Sequence, residues 1–150
     1  SYLERNNFEV VDAKGNTVDD SELNWDSYTK NNFPYFFRES NGPNNSLGVL
    51  KFNLANPFSI YLHDTNSKGA FAKEYRFLSH GCVRLEKPIE LADFLTKGTI
   101  NTWDLKTGKK DSESKIIKLD QKIHAFTVYM QVVVDGKKVT FLKDVYGIVQ

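Results

Sequence analysis

The sequence predicts a mainly β fold with one or two short helices in a chain of 150 residues. Short apolar runs bounded by Gly, Pro, Asn or Asp recur along the chain, as is typical of strands joined by turns. Aromatic residues, which favour strands, make up 13% of the chain. One segment, which begins at Pro88, carries the start and stop signals of a helix.

The first half of the chain predicts a hairpin and two further strands. The hairpin covers residues 8–18, because two apolar runs flank the turn-forming residues 13–16. An apolar run over residues 47–54 predicts a buried strand. The alternating run over residues 58–62 predicts another strand, which places His63 at a strand end.

The second half predicts a helix and a closing hairpin. Pro88 in the first turn and Gly98 past the end delimit a short amphipathic helix. Two strands are predicted over residues 125–134 and 138–142, because the Asp-Gly pair between them is a strong hairpin signal.

The composition excludes some partners and leaves the location open. The formal net charge is +1 and no basic stripe stands out, which argues against a nucleic-acid partner. No apolar stretch is long enough to span a membrane, and residues 1–20 lack the pattern of a signal peptide. Because the chain begins at Ser1 rather than Met, a longer parent with an export signal or a membrane anchor is compatible with it.

The single cysteine, Cys82, lies in the sequence SHGCVR at residues 79–84. Without a second cysteine it has no intramolecular disulfide partner, so it is either a buried apolar side chain or a reactive thiol. The flanking His80 and Arg84 favour the thiolate, which is the nucleophile. A further histidine, His63, lies upstream, so the sequence contains a candidate Cys–His pair.

The neighbouring residues suit the other roles that a cysteine nucleophile needs. His63 is the better base, because a strand end is a rigid platform, and Asp64 can orient its ring through the side chain or the backbone carbonyl. The N–H groups of Gly81 and Cys82 are candidate donors to an oxyanion. Arg84 suits a substrate carboxylate.

Two other interpretations remain open from the residues alone. In the first, Cys82 is an inert core thiol surrounded by ordinary hydrogen-bonded histidines. In the second, His63, His80 and Cys82 bind a catalytic metal, which needs three ligands and an open position. His124 precedes a strand without an evident partner and is interpreted as structural.

At residues 60–65, which read IYLHDT, and at residues 79–85, which read SHGCVRL, the chain resembles the L,D-transpeptidases that cross-link bacterial peptidoglycan. That family has an upstream histidine, a spacer, and then Ser/Thr-His-Gly-Cys with a polar residue two positions on. The resemblance covers residues 33–150 and includes further segments: NGPNNSLG at 41–48, NPF at 56–58, the helix from Pro88 to Leu95, and DVYG at 144–147.

The resemblance implies a role for each residue of the motifs. Cys82 is implied to be the nucleophile that forms an acyl-enzyme, and His63 its base, oriented by the backbone carbonyl of Asp64. The oxyanion region is implied to consist of His80, Gly81 and Cys82, and the substrate site to include Ser79, Arg84 and Tyr61.

The resemblance also implies a fold and an activity. The expected fold is the β-sandwich of the L,D-transpeptidases, and the expected reaction releases D-alanine from a tetrapeptide stem and transfers the acyl group to an amine of a neighbouring stem. No cofactor or metal is expected, carbapenems are expected to acylate the thiol, and the expected location is the periplasm or cell envelope. The alternatives are an L,D-carboxypeptidase with water as acceptor and a non-catalytic peptidoglycan-binding fragment.

The same resemblance suggests how the chain is divided. Residues 33–150 are expected to form the catalytic core, as the C-terminal part of a larger protein that supplies the missing N-terminal strands. Residues 1–32 correspond to the region where large members of the family place a cap over the active site, so a partial cap is expected there.

Overall fold

The computed structural model describes residues 2–79, 81–103, 105 and 114–148. Within them the regular structure is mainly strands, with two α-helices and two short 3-10 helices at Trp25–Ser27 and Lys68–Ala72. This confirms the predicted mainly β class. The helices and strands, in chain order, are α1 (Tyr2–Arg5), β1 (Phe8–Val11), β2 (Thr17–Val18), β3 (Phe36–Glu39), β4 (Lys51–Asn53), β5 (Tyr61–His63), β6 (Val83–Arg84), α2 (Pro88–Thr96), β7 (Val132–Asp135) and β8 (Lys138–Phe141).

The first sheet has the strand order β2-β1-β3 and is antiparallel throughout. The predicted hairpin is confirmed, and the Asp12 carboxylate closes its turn by accepting the N–H groups of Lys14 and Asn16 at 2.8 and 2.9 Å. Val10 and Val11 of β1 are buried and contribute to the apolar core. The predicted division of the chain at residue 33 stays a prediction.

The second sheet has the strand order β4-β5-β6. β4 and β5 are antiparallel, whereas β5 and β6 are parallel. A parallel pair needs a crossover connection, which the segment between His63 and Val83 supplies. β5 ends at His63, which confirms the predicted placement of this histidine at a strand end.

The predicted strands over 47–54 and 58–62 were wrong at their first residues. The structure begins β4 at Lys51 and β5 at Tyr61. The side chains of Asn45 and Asn56 accept backbone N–H groups two to four positions on, at 2.8 to 3.1 Å, and so hold turns where apolar residues had suggested strand. Gly48, with a φ of 59°, completes the first of these turns.

The predicted helix is confirmed as α2, and its end has a clear cause. Lys97 adopts the left-handed conformation, with a φ of 54°, and the Gly98 N–H donates to the Asp93 carbonyl at 2.9 Å. Ala92 on this helix is buried. Neither described helix has the length and apolar character that a membrane crossing requires.

Residues Gln121–Gln150 form a compact unit of their own. The predicted Asp-Gly hairpin is confirmed in β7 and β8, but β7 begins at Val132 and not at residue 125. Phe126 and Val128 lie before it in exposed chain without a strand partner among the described residues. An alternating pattern does not by itself supply the ladder hydrogen bonds that a strand requires.

Candidate active site

The second sheet brings the candidate residues together in two rows. Lys51 of β4 lies opposite His63 of β5, and His63 lies beside Arg84 of β6. Two residues earlier on both strands, Cys82, which directly precedes β6, lies beside Tyr61. This follows from the parallel register, in which the next residues along, Leu62 and Val83, are partners. Side chains two positions apart on a strand share a face, so both rows project from one face of the sheet.

Tyr61 contacts residues of both rows. Its ring meets the His63 imidazole edge-on with centroids 5.7 Å apart, and its hydroxyl is influenced by the Cys82 side chain. The Lys51 ammonium lies 4.0 Å from the Tyr61 ring centroid. Burial, and then the interaction with Cys82, raise the pKa of Tyr61 above its ordinary value. The phenol therefore keeps its proton at neutral pH and can donate it in a hydrogen bond.

His63 is held in one orientation by the residue that follows it. The side chain is 6% exposed, and its Nδ1 contacts the backbone carbonyl oxygen of Asp64. A carbonyl oxygen only accepts hydrogen bonds, so Nδ1 carries the proton of the neutral ring. Nε2 is then the nitrogen with a lone pair, as a base requires. The His63 carbonyl accepts the Leu85 N–H at 2.8 Å, which ties the strand end to the chain beyond β6.

The Asp64 side chain fixes the segment that holds His63. Its carboxylate is buried, forms an ion pair with Lys68, and accepts the Val49 N–H at 3.0 Å. The backbone of Gly48 approaches this carboxylate so closely that an added methyl group would overlap it. The Asp64 N–H also donates to the Leu50 carbonyl at 2.8 Å. The backbone carbonyl that orients His63 is therefore anchored at several points.

The turn before Cys82 is closed by Ser79. The Ser79 hydroxyl donates to the Cys82 carbonyl at 2.6 Å, and the Gly81 N–H points at the same hydroxyl across 3.5 Å. The Cys82 N–H meets no acceptor in the described part of the chain. This leaves it as a candidate donor to an oxyanion. Gly81 has no positive φ, and a Cβ there would make only ordinary contacts with Ile60, so this turn does not require glycine for its backbone conformation.

The structure brings most of the predicted site residues together. Cys82 is a half-buried free thiol, and the register puts its Cα about 8 Å from that of His63. Arg84 reaches the same face through the register, whereas the Ser79 hydroxyl is engaged within the turn. His80 lies outside the described residues. The predicted oxyanion and substrate roles of these residues stay predictions.

Three residues of the site were missed by the sequence reasoning: Gly48, Lys51 and Lys68. Gly48 is distant from Asp64 in sequence and reaches it only in the folded chain, whereas Lys68 lies four positions after Asp64. Lys51 had a usable signal, because it alternates with apolar Phe52 in a predicted strand next to that of His63. The metal interpretation needs His80; among the described residues, no group of three or more His, Cys, Asp and Glu side chains is arranged to bind a metal.

Comparison with known proteins identifies relatives. The sequence profile of the YkuD family, described as the L,D-transpeptidase catalytic domain, matches residues 4–112. A Haemophilus influenzae protein named "Putative L,D-transpeptidase" is 35% identical over 150 residues, which are 98% of this chain and 30% of that protein. The chain thus spans about a third of the length of this relative.

Proposed function

The chain belongs to the L,D-transpeptidase catalytic-domain family, and on this premise we propose that it transfers the acyl group of one peptidoglycan stem peptide to an amine of another through a thioester on Cys82. The observation that carries the proposal is the sheet face shared by Cys82, Tyr61 and His63. It brings a thiol, a hydrogen-bond donor and an oriented base next to one another, which is the set of groups that acyl transfer to sulfur requires.

In the acylation step, Nε2 of His63 takes the proton of the Cys82 thiol, and the sulfur attacks the carbonyl carbon of the donor peptide. A C–S bond forms and the carbonyl oxygen becomes an oxyanion. The Tyr61 hydroxyl and the Cys82 N–H are the nearby donors that can stabilise this charge. The C–N bond then breaks, His63 gives its proton to the leaving amine, and a thioester remains.

In the second step, an amine of a neighbouring stem attacks the thioester carbonyl. His63 accepts the proton that this amine loses, the C–S bond breaks, and the sulfur regains a proton from His63. Water in place of the amine would give a carboxypeptidase instead, so exclusion of water decides between the two reactions. A cap formed by residues 1–32 would serve this purpose, and we propose that role for them.

The location and the wider set of ligands follow from the proposed activity. Peptidoglycan stems are in the cell envelope, so we propose that the protein acts there, in the periplasm. Carbapenems carry a strained acyl group that a reactive thiol can open, so Cys82 is the proposed site of their attachment. The reaction as written uses only side chains and backbone groups of this chain, without a cofactor.

A donor assay tests the proposal. The purified protein is incubated with a synthetic tetrapeptide that has a diamino acid third and D-alanine fourth, with and without an acceptor amine, and D-alanine release is measured beside the matched Cys82→Ala variant. We expect release by the wild type and, in Cys82→Ala, a rate lower by a factor on the order of 10³ or more. A cross-linked product supports the transpeptidase, and free tripeptide alone supports the carboxypeptidase. Donor binding without any D-alanine release would show a non-catalytic module and overturn the proposal.

A further inference from the structure

Two cationic side chains flank His63 on the sheet face of the site. Lys51 lies in register on one side of His63 and Arg84 on the other. None of the residues in β4, β5 and β6 is acidic, and in the described ranges of the chain neither Lys51 nor Arg84 forms an ion pair. The carboxylate adjacent to His63, that of Asp64, is bound to Lys68. This face therefore carries two positive charges that no acidic side chain of the described residues neutralises.

Lys51 is directed toward the reacting groups, and Arg84 lies on the same sheet face. The Lys51 ammonium lies 4.0 Å from the Tyr61 ring centroid, which shows that it leans along the sheet toward the tyrosine that contacts Cys82. Arg84 is half-buried, and its register position puts it on the same face as His63. A guanidinium that is partly removed from water gains strongly from an anionic partner. The arrangement fits an anion supplied by the substrate.

We propose that Lys51 and Arg84 bind the free α-carboxylate of the amino acid that the enzyme releases. This inference rests on the proposed function, in which His63 protonates the leaving amine. In a C-terminal amino acid the amine and the carboxylate are attached to the same α-carbon. A leaving residue whose nitrogen reaches His63 therefore has its carboxylate within about 3 Å of that nitrogen, between the two groups that flank His63. Arg84 offers a planar fork and Lys51 a mobile point charge, and together they match a carboxylate.

The site defines which peptides are donors. A free carboxylate must come directly after the scissile bond, so the chain ends one residue beyond the carbonyl that Cys82 attacks. Peptides that are amidated at that end present no charge to Lys51 and Arg84. Peptides with a further residue place their carboxylate about 3.5 Å farther along the chain. The structure thus accounts for release of a single terminal residue.

The test compares two tetrapeptide donors that differ only in a terminal carboxylate or carboxamide. The values of kcat/KM are measured for the wild type, Lys51→Met, Lys51→Arg and Arg84→Gln, and binding of both peptides is measured on Cys82→Ala and on its combinations with these variants. Lys14→Met, which removes a charge from an exposed hairpin turn, is the matched control. We expect the wild type to favour the acid by about 10- to 100-fold, as a charge-assisted contact implies. We expect Lys51→Met and Arg84→Gln to reduce this ratio about 5-fold or more, while Lys51→Arg and Lys14→Met retain it.

The amide donor separates carboxylate binding from an effect on the chemistry. If Lys51 acted only through the Tyr61 ring, Lys51→Met would slow both donors equally, and this result would overturn the inference. An acid-to-amide ratio near one in both turnover and binding would also overturn it. A different result would separate the two proposals: the wild type releases no D-alanine, but Cys82→Ala binds the acid more tightly than the amide. If this preference were lost when Lys51 or Arg84 is replaced, the inference would stand and the proposed function would fail.

Discussion

The two sheets of the larger unit are similar in size but bury different kinds of residue. In the first sheet, β2-β1-β3, the buried side chains are apolar, Val10 and Val11. In and directly after β5 of the second sheet, the buried residues are polar: His63, Asp64 and Thr65. Apolar burial stabilises a fold without directing chemistry, whereas buried polar groups are costly unless each is paired. The second sheet therefore has the character of a site, whereas the first sheet contributes apolar burial.

The ion pairs of the two sheets differ in how far their charged groups are buried. Arg38 and Glu9 of the first sheet meet at 3.0 Å with both side chains partly exposed. Asp64 of the site is buried and pairs with Lys68, whose side chain is about half exposed. Exposed pairs contribute little to stability, whereas removal of the partner of a buried charge is strongly destabilising. Substitutions in the two sheets should separate stability from reactivity.

The largest expected effect is on reactivity and comes from His63→Gln. Glutamine keeps much of the side-chain volume but has no basic nitrogen, so acylation of Cys82 should slow by a factor on the order of 10³. The melting temperature should change only slightly, so that acylation is slowed while the fold is kept. Stopped-flow measurement of acylation together with thermal unfolding tests this separation, and an unchanged acylation rate would remove His63 from the role of base.

Gly48→Ala should damage stability and reactivity together. A methyl group at this position overlaps the Asp64 carboxylate and strains a φ of 59°, which should cost about 3 kcal/mol. Displacement of Asp64 should also slow acylation of Cys82. Gly15→Ala is the matched control in the first sheet, because Gly15 has a φ of 85° but nothing within 4 Å of an added Cβ. Gly15→Ala should lower the free energy of unfolding by about 1 kcal/mol and leave acylation unchanged. Equal losses of stability in the two variants, measured by chemical denaturation, would contradict the close contact of Gly48 with Asp64.

Val10→Ala should reduce stability alone. Val10 is 1% exposed in the centre of the first sheet, so removal of two methyl groups should cost about 2 kcal/mol. The acylation rate of the folded protein should equal that of the wild type. Urea denaturation gives the first quantity, and acylation measured well below the midpoint gives the second. A large loss of acylation in folded Val10→Ala would contradict this separation of stability from acylation.

Arg38→Met should have the smallest effect, and one that depends on pH. The hydrogen bond from Arg38 lowers the pKa of Glu9 below its ordinary value of 4.5. Because the folded pKa is the lower one, this contact stabilises the fold above pH 4.5, and the contribution is lost as the pH falls through the folded pKa. The wild type should exceed Arg38→Met by less than about 1 kcal/mol at pH 7, after solvent screening, and by less still at pH 3. A difference that grows toward low pH would contradict the assignment.

Local signals in the sequence were enough to predict some of these features. The Pro88 and Gly98 signals gave α2, and the alternation up to Leu62 placed His63 at a strand end. The first residues of β4 and β5 could not be predicted, since whether Asn45 and Asn56 bond the nearby backbone or solvent depends on the folded chain. The same holds for the row from Lys51 through His63 to Arg84. It arises from the antiparallel register of β4 with β5 and the parallel register of β5 with β6, which no local pattern specifies.

The proposed acyl transfer requires Cys82 to be an accessible thiol that reacts with acyl donors. Intact-protein mass spectrometry after incubation with a carbapenem measures this reactivity, on the wild type and on Cys82→Ala. We expect one adduct on the wild type and none on Cys82→Ala. A folded wild type that gains no mass, or a Cys82→Ala variant that gains the same mass, would contradict it.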